Sequence, residues 1–313
     1  MTKLSVVVVA CVVSLAVLCS SANYKAEFSG KHALVTGGTS GIGFQTALQL
    51  AQFGAHVVIV ARDYHPTWFN GSDAVRRINE DPLVKQSGGS ARFFKADISN
   101  LTDVKALFDN IEENDKDLDF AVNCAAISGP DGNLDEIRDY LMGEHDTLRN
   151  NVYGTVFSVM YETRYLMKKN HTGAIVSISS CDGLHGTAFG ALYSSSKWGI
   201  IGLTRAAASA FAAKTADRPL IRINAVAPSL TNTSFSWQQV KWMEDNVTQP
   251  WEEPYVSPDS DLWKKWGPEW IDHMTCKCIA SPKNVADVVI HLLSSDASYT
   301  TGSVIPIARG DLS

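Results

Sequence analysis

The sequence predicts an α/β fold in which one doubly wound, parallel sheet of seven strands forms a single domain. Two observations support this prediction. First, short apolar runs rich in β-branched residues alternate with amphipathic stretches of helical length along most of the chain. Strands joined by such helices form right-handed β-α-β units, which give a parallel sheet covered on both faces. Second, the first strand runs into a glycine-rich turn and then a helix, as doubly wound sheets begin.

The individual elements follow from the spacing of apolar residues along the chain. A short continuous apolar run predicts a buried strand, and apolar residues recurring every three or four positions predict a helix. The predicted strands comprise residues 32–36, 56–61, 91–96, 118–123, 174–179, 221–226 and 303–307. The predicted helices comprise residues 42–53, 101–113, 150–169, 197–213 and 284–294.

Residues 230–280 interrupt the alternation because they contain no clear strand pattern. The stretch is rich in proline and contains Trp237, Trp242, Trp251, Trp263, Trp266 and Trp270. A long irregular insertion in a compact domain usually forms a lid or a binding loop, so one interpretation is a substrate loop lined by aromatic rings. The other interpretation is a small helical subdomain whose tryptophans pack against one another.

The first 22 residues have the pattern of a targeting segment. Lys3 precedes an apolar run over residues 4–19, and small residues follow at 20–22. This order predicts a secretory signal peptide that is cleaved after Ala22. An uncleaved membrane anchor is the alternative, since the uncharged stretch is just long enough to cross a bilayer, and a buried core helix is a third. The first two interpretations place residues 30–313 in the secretory pathway: in the endoplasmic reticulum lumen, at its membrane, or outside the cell.

Five Asn-x-Ser/Thr sequons agree with that compartment, although several are expected by chance in a chain of this length. They begin at Asn70, Asn100, Asn170, Asn232 and Asn246. Occupied sequons would make the protein a glycoprotein. Asn100 has an alternative role, because it precedes the helix predicted from residue 101 and is suited to cap it.

Charge and cysteine content limit the classes of partner. The formal net charge of −6 argues against a nucleic-acid partner. The six cysteines show no spacing typical of a metal site, and two of them lie within the first 22 residues. We therefore expect neither a bound metal nor a disulfide framework.

The turn after the first strand has the composition of a phosphate-binding loop. Glycines let the backbone turn tightly and approach a pyrophosphate, and the N-terminus of the following helix offers N–H donors. In this position the loop predicts a Rossmann-type domain that binds a dinucleotide. The residues expected to contact it are Thr36, Gly37, Thr39, Ser40, Gly41, Ile42 and Gly43.

The end of the second strand indicates which dinucleotide is preferred. An acidic side chain there would bind the ribose hydroxyls of NAD, but the strand ends at Ala61 and Arg62 follows. Arg62 is suited to pair with a 2′-phosphate, which favours NADP(H). Asp63 keeps NAD(H) possible, because it can neutralise Arg62 in a surface ion pair or itself reach the ribose. Asp97, at the end of the third strand, is placed to meet the adenine.

Tyr193 and Lys197 have the spacing expected for a proton-transfer pair. Four residues apart on a helix, they lie on one face and one turn apart. A nearby ammonium stabilises phenolate and lowers the pKa of a tyrosine from about 10, so Tyr193 is suited to act as a general acid or base. Ser180 follows a predicted strand and reaches the carboxyl edge of the sheet, where its hydroxyl is suited to bind the reacting oxygen. Its alternative role is a helix cap or turn.

These motifs resemble those of the short-chain dehydrogenase/reductase family over about residues 30–310. The glycine turn matches the family's T-G-x-x-x-G-x-G, Ser180 lies thirteen residues before Tyr193, and Asn151 begins an N-x-x-G motif. The resemblance implies a catalytic set of Asn151, Ser180, Tyr193 and Lys197. It also implies cofactor contacts from Ile98, Asn123, Ala125, Pro228 and Thr233, beside those of Tyr193 and Lys197.

The resemblance further implies how the catalytic set works. Hydride would pass between nicotinamide C4 and the substrate carbon while Tyr193 moves the proton. Lys197 would hydrogen-bond the nicotinamide ribose, and Asn151 would hold a water that links Lys197 to a proton relay. Homodimers or homotetramers would form through the helices predicted at 150–169 and 197–213.

Three positions depart from the family pattern. Ala126 replaces the last glycine of the family's Asn-Asn-Ala-Gly segment, which would tighten the adenosine side of the site. Ser229 follows Pro228 in place of glycine and alters the turn near the nicotinamide. Residues 308–310 read Ala-Arg-Gly instead of Asp-Gly-Gly. Since none of these removes a member of the catalytic set, activity is expected.

The function predicted from the sequence is therefore an NADP(H)-dependent oxidoreductase. It would interconvert a carbonyl and an alcohol on an apolar small molecule such as a steroid, retinoid, terpenoid or aldehyde, with Tyr193 as general acid/base. A catalytically silent dinucleotide-binding scaffold or sensor is the alternative. An epimerase or dehydratase is a third possibility, and the lack of a large C-terminal domain argues against it.

Overall fold

Seven parallel strands form one sheet in the computed structural model, which describes residues 24–62, 70–115, 117–128, 146–186, 190–215, 218–236 and 279–309. The strands are β1 (His32–Thr36), β2 (His56–Ala61), β3 (Ser90–Lys95), β4 (Phe120–Asn123), β5 (Gly173–Ile178), β6 (Ile221–Pro228) and β7 (Val304–Ile307). They pair in the order β3-β2-β1-β4-β5-β6-β7, and every pairing is parallel. The predicted doubly wound sheet is confirmed, and its winding reverses between β1 and β4.

Helices cover both faces of this sheet. They are α1 (Gly41–Gln52), α2 (Gly71–Glu80), α3 (Pro82–Ser87), α4 (Leu101–Asn114), α5 (Gly154–Lys169), α6 (Ala191–Phe211) and α7 (Pro282–Leu293). A π-helical turn (Arg149–Tyr153) precedes α5, and a 3-10 turn (Cys181–Gly183) lies between β5 and α6. One buried apolar cluster includes residues of α1 and α7, and a second includes residues of α4, α5 and α6.

Two differences between the observed and the predicted elements concern helices α2, α3 and α6. Helices α2 and α3 were not predicted, because they are short and bury few apolar residues: Ala74 and Ile78 in α2, and Val84 in α3. Asn70 caps α2 by accepting from the Asp73 N–H, and Asp81 caps α3 ahead of Pro82. Helix α6 begins six residues before the predicted 197, so Tyr193 lies inside the helix. The predicted cap at Asn100 is confirmed, since its Oδ1 accepts from the N–H of Thr102.

Several predictions fall outside the described residues. The leader at 1–22, Asp63 and the tryptophan-rich part of the insertion at 237–278 belong to this group. Within the described ranges, none of the helices combines the length and the apolar character needed to span a bilayer.

Arg222 ties β6 to the C-terminal end of α7. Its side chain is buried, its Nη1 donates to the carbonyls of Leu292 and Ala297, and its Nη2 donates to those of Leu293 and Ser294. The last carbonyls of a helix have no N–H partner within the helix, and they form the negative end of its dipole. Leu292 and Leu293 are the last two residues of α7, so the guanidinium satisfies their carbonyls and balances the charge at this end of the helix.

We expect Arg222→Met to lower the free energy of unfolding by about 3 kcal/mol, because it leaves buried carbonyls without donors. Chemical denaturation measures the change. Arg218→Met is the matched control: Arg218 is exposed and its Nη1 donates to the carbonyl of Ala210, so a loss of about 0.5 kcal/mol or less is expected. Equal losses in the two variants would contradict a capping role for Arg222.

Candidate active site

The glycine turn after β1 forms a cradle that accommodates only glycine at two positions. Gly37 has a φ of +68°, and a Cβ there would lie 2.8 Å from the nitrogen of Ala125. A Cβ at Gly43 would lie 2.2 Å from the carbonyl oxygen of Gly37. Helix α1 starts at Gly41, and the side chain of its capping residue Ser40 accepts no capping hydrogen bond. The cradle therefore presents first-turn N–H groups and fits a pyrophosphate.

The segment that leaves β4 forms the opposite wall. Thr36 Oγ1 accepts from the backbone N–H groups of Cys124 and Ala125 at 3.2 and 3.3 Å. Three residues further on, the Asn151 amide bonds both the N–H and the carbonyl of Ile127 at 2.8 Å. Residues 123–127 are thus fixed to the glycine turn on one side and to the start of α5 on the other. This wall contains Asn123 and Ala125, which were predicted to contact the cofactor.

Arg62 and Asp97 lie together at the ends of β2 and β3. Arg62 Nη1 is 3.9 Å from Asp97 Oδ2, and both side chains are partly exposed, so the pair is a weak one. Asp97 Oδ1 also accepts from the N–H and hydroxyl of Ser99, which fixes the carboxylate. Ile98 is buried against Gly154, where a Cβ would lie 2.7 Å from Ile98 Cδ1. This edge presents a cation and a fixed carboxylate, as the sequence predicted for the adenosine end.

Asn151 lies in the π-helical turn rather than in the regular helix predicted over 150–169. It is fully buried, and its Nδ2 also donates to Ser196 Oγ at 3.0 Å. Ser196 Oγ in turn donates to the carbonyl of Tyr193 at 2.7 Å. Single π turns inside helices are frequent at functional sites, where they turn a side chain away from the helical repeat. Here the turn lets Asn151 link the 123–127 wall to α6.

Lys197 is buried beneath Tyr193, on the face of α6 that the spacing predicted. Its Nζ donates to the carbonyl of Ile178 at 3.0 Å and lies 5.4 Å from the centroid of the Tyr193 ring. Burial lowers the pKa of Lys197 to about 8, while the charges of Cys124 and Asp182 oppose that shift. The ammonium is therefore close to the ring whose phenol it would influence, and little solvent screens it.

Ser180 lies two residues beyond the end of β5 and caps the 3-10 turn. Its Oγ accepts from the N–H of Asp182 at 3.2 Å, so the alternative role noted from the sequence is realised. A hydroxyl that accepts one hydrogen bond still carries its own proton, which remains able to donate. Next to it, Ser179 Oγ donates to the carbonyl of Lys197 at 2.9 Å and ties the strand to α6.

Thr233 and Phe235 bring the chain beyond β6 back to the site. Thr233 is buried, and its Cγ2 lies 3.1 Å from the position of a Cβ on Gly41, so it borders the glycine turn; its contact with the cofactor stays a prediction. The ring of Phe235 lies 6.0 Å from that of Tyr193 and was not singled out from the sequence. Pro228 ends β6 and is buried at the same edge.

Two polar side chains near the wall were also missed. Ser196 is the acceptor for Asn151 described above, and no sequence motif marks it. Glu162 on α5 is fully buried and accepts from Asn123 Nδ2 at 3.1 Å. Burial raises the pKa of Glu162 to about 8. In the part of the chain that the structure describes, no cluster of three or more His, Cys, Asp or Glu side chains is arranged to hold a metal ion.

Comparison with known proteins agrees with this geometry. The model of the short chain dehydrogenase family matches residues 31–244, a range that includes the glycine turn, Asn151, Ser180 and the pair on α6. The chain belongs to the short-chain dehydrogenase/reductase family. It is therefore an oxidoreductase of the kind that acts on CH–OH groups with NAD(P).

Individual relatives match over nearly their whole length. The chain is 30% identical to 3beta-hydroxysteroid dehydrogenase of Mediterraneibacter gnavus over 89% of this chain and 94% of the relative. Among solved structures, NAD+-bound xylitol dehydrogenase is 28% identical with a TM-score of 0.72, covering 90% of this chain and 99% of its own. ElxO with NADP bound is 29% identical with a TM-score of 0.69, over the same shares.

Proposed function

We propose that the protein is an NADP(H)-dependent oxidoreductase that interconverts a carbonyl and an alcohol on an apolar small molecule. The observation that carries this proposal is the position of Lys197, which is buried with its Nζ 5.4 Å from the centroid of the Tyr193 ring. Its ammonium would lower the pKa of the Tyr193 phenol. That pair gives the site a proton donor where a dinucleotide would present its nicotinamide.

Several side chains of the protein have separate roles at or near the reacting oxygen. The nicotinamide, when bound, supplies or accepts the hydride. In the reducing direction Tyr193 donates its phenolic proton to the carbonyl oxygen, and the Ser180 hydroxyl donates a hydrogen bond to the same oxygen. Lys197 stabilises the phenolate left behind. Asn151 hydrogen-bonds both the 123–127 wall and α6, and so fixes their relative position. By family resemblance it also holds the water that returns a proton.

Arg62 supports the preference for NADP(H). It lies at the end of β2, where the ribose of the adenosine is expected, and its partner Asp97 engages it only at 3.9 Å. A phosphate would offer closer, charge-assisted hydrogen bonds. The solved relatives include both an NAD+ and an NADP complex, so the family leaves either nucleotide open.

An apolar substrate fits the aromatic content near Tyr193. Phe235 places a ring 6.0 Å from the Tyr193 ring, and the following residues 237–278 supply six tryptophans by sequence. Aromatic side chains favour ligands with a large apolar surface. A related protein is named for a 3beta-hydroxysteroid, which is one such class.

We also propose a homodimer formed through the π-helical turn and α6. Tyr153, in the π-helical turn, is 57% exposed, and Trp198, on α6, is 49% exposed. The turn and the helix pack closely, because a Cβ on Gly199 would lie only 3.2 Å from Val152 Cγ2. Large exposed aromatic side chains on one face are typical of an interaction surface. A molar mass of one chain by light scattering would rule this assembly out.

We expect Tyr193→Phe to lower kcat for carbonyl reduction by about a hundredfold or more, since it removes the proton donor. Affinity for NADPH should stay close to that of the wild type. Steady-state turnover against a panel of steroid, retinoid and small polar carbonyls measures the first, and nucleotide fluorescence the second. Tyr161→Phe, on α5, is the matched control and should leave kcat unchanged. Full turnover by Tyr193→Phe would refute the proton-donor role and favour a scaffold.

We expect Arg62→Asp to weaken NADPH binding by about tenfold or more while leaving NADH binding unchanged or improved, because it replaces the phosphate partner with a like charge. Fluorescence titration with both nucleotides measures the two affinities. Arg76→Asp makes the same charge change on α2 and should affect neither nucleotide selectively. A parallel loss for NADPH and NADH in Arg62→Asp would remove the argument for NADP(H).

We place the protein in the secretory pathway, with cleavage after Ala22 and with glycans on exposed sequons. The predicted leader and the sequons support this placement. N-terminal sequencing of protein made in animal cells should begin at residue 23, and a glycosidase should shift its mobility. An intact N-terminus together with a shift would indicate the membrane anchor. An intact N-terminus without a shift would contradict the placement.

A further inference from the structure

Glu162 is a buried carboxyl group that the proposed chemistry does not use. It lies in the middle of α5 with no exposed surface. Glutamate is almost never fully buried unless it is paired with a charge. Here its hydrogen-bond donor is the neutral Asn123 amide, at 3.1 Å from Oε2. An uncharged carboxyl group is the form that such surroundings favour.

Neighbouring polar atoms reinforce this conclusion. Glu162 Oε1, Asn123 Oδ1 and Ser177 Oγ are buried without a hydrogen-bond partner among the described residues. Asn123 and Ser177 are register partners on β4 and β5, so their side chains leave the sheet on the same side. A carboxyl oxygen, an amide oxygen and a serine hydroxyl therefore lie in one region, with no cation among the hydrogen-bond partners described there. Ionisation of Glu162 would add a charge that nothing described there balances.

The charged groups on the helices packed around α5 have other surroundings. On α6, Lys197 Nζ donates to the carbonyl of Ile178, and Arg205 is exposed to solvent. Helix α4 presents Glu112, which pairs with Lys169 at 3.0 Å and Lys168 at 3.3 Å at the end of α5. Burial raises the pKa of Glu162, and the Asn123 hydrogen bond opposes that shift. On this side β4 and β5 contribute Asn123 and Ser177, which do not titrate. Tyr165, one turn along α5, has its pKa raised by burial to about 12.

The hydrogen bond between Glu162 and Asn123 joins α5 to the 123–127 wall, and Asn151 joins the π-helical turn before α5 to the same wall. Asn123, at the start of the wall, contacts Glu162. Ile127, at its end, is hydrogen-bonded through its backbone to the Asn151 amide in the π-helical turn that leads into α5. Between these ends, Ala125 makes the close approach to Gly37 that shapes the dinucleotide cradle. A shift of Asn123 would therefore change the shape of the cradle that binds the nucleotide.

We propose that Glu162 is a positioning residue that acts through Asn123: its neutral carboxyl group holds residues 123–127 in the conformation that binds the dinucleotide, and its ionisation releases them. The effect on the nucleotide rests on the proposed function, whereas the effect on the wall does not. Above about pH 8, ionisation favours conformers in which water reaches Glu162, and the binding-competent fraction falls. Apparent nucleotide affinity falls by the same factor.

Amide hydrogen exchange tests the effect on the wall. The reporters are the N–H groups of Ala125 and Ile127, both hydrogen-bonded in the structure. From about pH 7 to about pH 9.5, after correction for intrinsic exchange rates, we expect their protection to fall by roughly tenfold in the wild type. Glu162→Gln cannot ionise and should keep its protection across this range. Glu113→Gln removes an exposed carboxyl on α4 and should behave as the wild type does.

Glu162→Met provides a second variant in case the glutamine amide packs poorly. It should also show no dependence on pH, at lower protection, because it removes the hydrogen bond together with the charge. If the wild type and both variants lose protection in parallel, or if the wild type loses none, the proposal is overturned.

NADPH affinity tests the consequence for binding. Between about pH 7 and about pH 9.5 the dissociation constant of the wild type should rise roughly tenfold relative to that of Glu162→Gln. Lys197 titrates in the same range in both proteins, so their ratio isolates Glu162. A constant ratio would overturn the link to the nucleotide. If neither protein binds NADPH while exchange differs as expected, the proposed function fails and the positioning of the wall stands.

Discussion

The close packing of the glycine turn against the segment leaving β4 is the constraint on which this site depends. Gly37 lies so near Ala125 that a side chain would push the two apart, and Thr36 Oγ1 fastens the same segment with two hydrogen bonds. The contact joins β1 to β4, where the winding of the sheet reverses and open α/β sheets bind ligands. This contact fixes the glycine cradle and the 123–127 wall relative to each other, and it places Ile127 within hydrogen-bonding distance of Asn151.

The features that the sequence predicts correctly are those marked by a pattern within one short stretch of the chain. The strands were predicted to within about two residues because continuous apolar runs identify buried strands. Helices α2 and α3 were not predicted, because they have only ten and six residues and bury few apolar side chains. Tyr193 and Lys197 were found because their relation is a spacing on one helix. Ser196 and Glu162 were missed because their partners lie about forty residues away in sequence, and only the fold brings them together.

Two buried ionisable groups, Lys197 and Glu162, have pKa values that burial shifts toward neutrality. Burial pulls the pKa of Lys197 down and that of Glu162 up, in each case to about 8, so near neutral pH each is much closer to changing charge than it would be in water. The lysine side chain is held by the carbonyl of Ile178, and the glutamate by the amide of Asn123. Placing such groups inside a domain lowers its stability, and perturbed groups of this kind concentrate at functional sites.

Arg222 also determines the order in which the domain can be completed during synthesis. Its guanidinium is made about seventy residues before the four carbonyls that receive it. Until residues 292–297 emerge from the ribosome, the growing chain must keep this cation in water, because burial without acceptors is strongly unfavourable. The sheet can therefore close around β6 only late. A nascent chain halted before residue 292 would leave that strand without a lasting place in the sheet and expose it to chaperones.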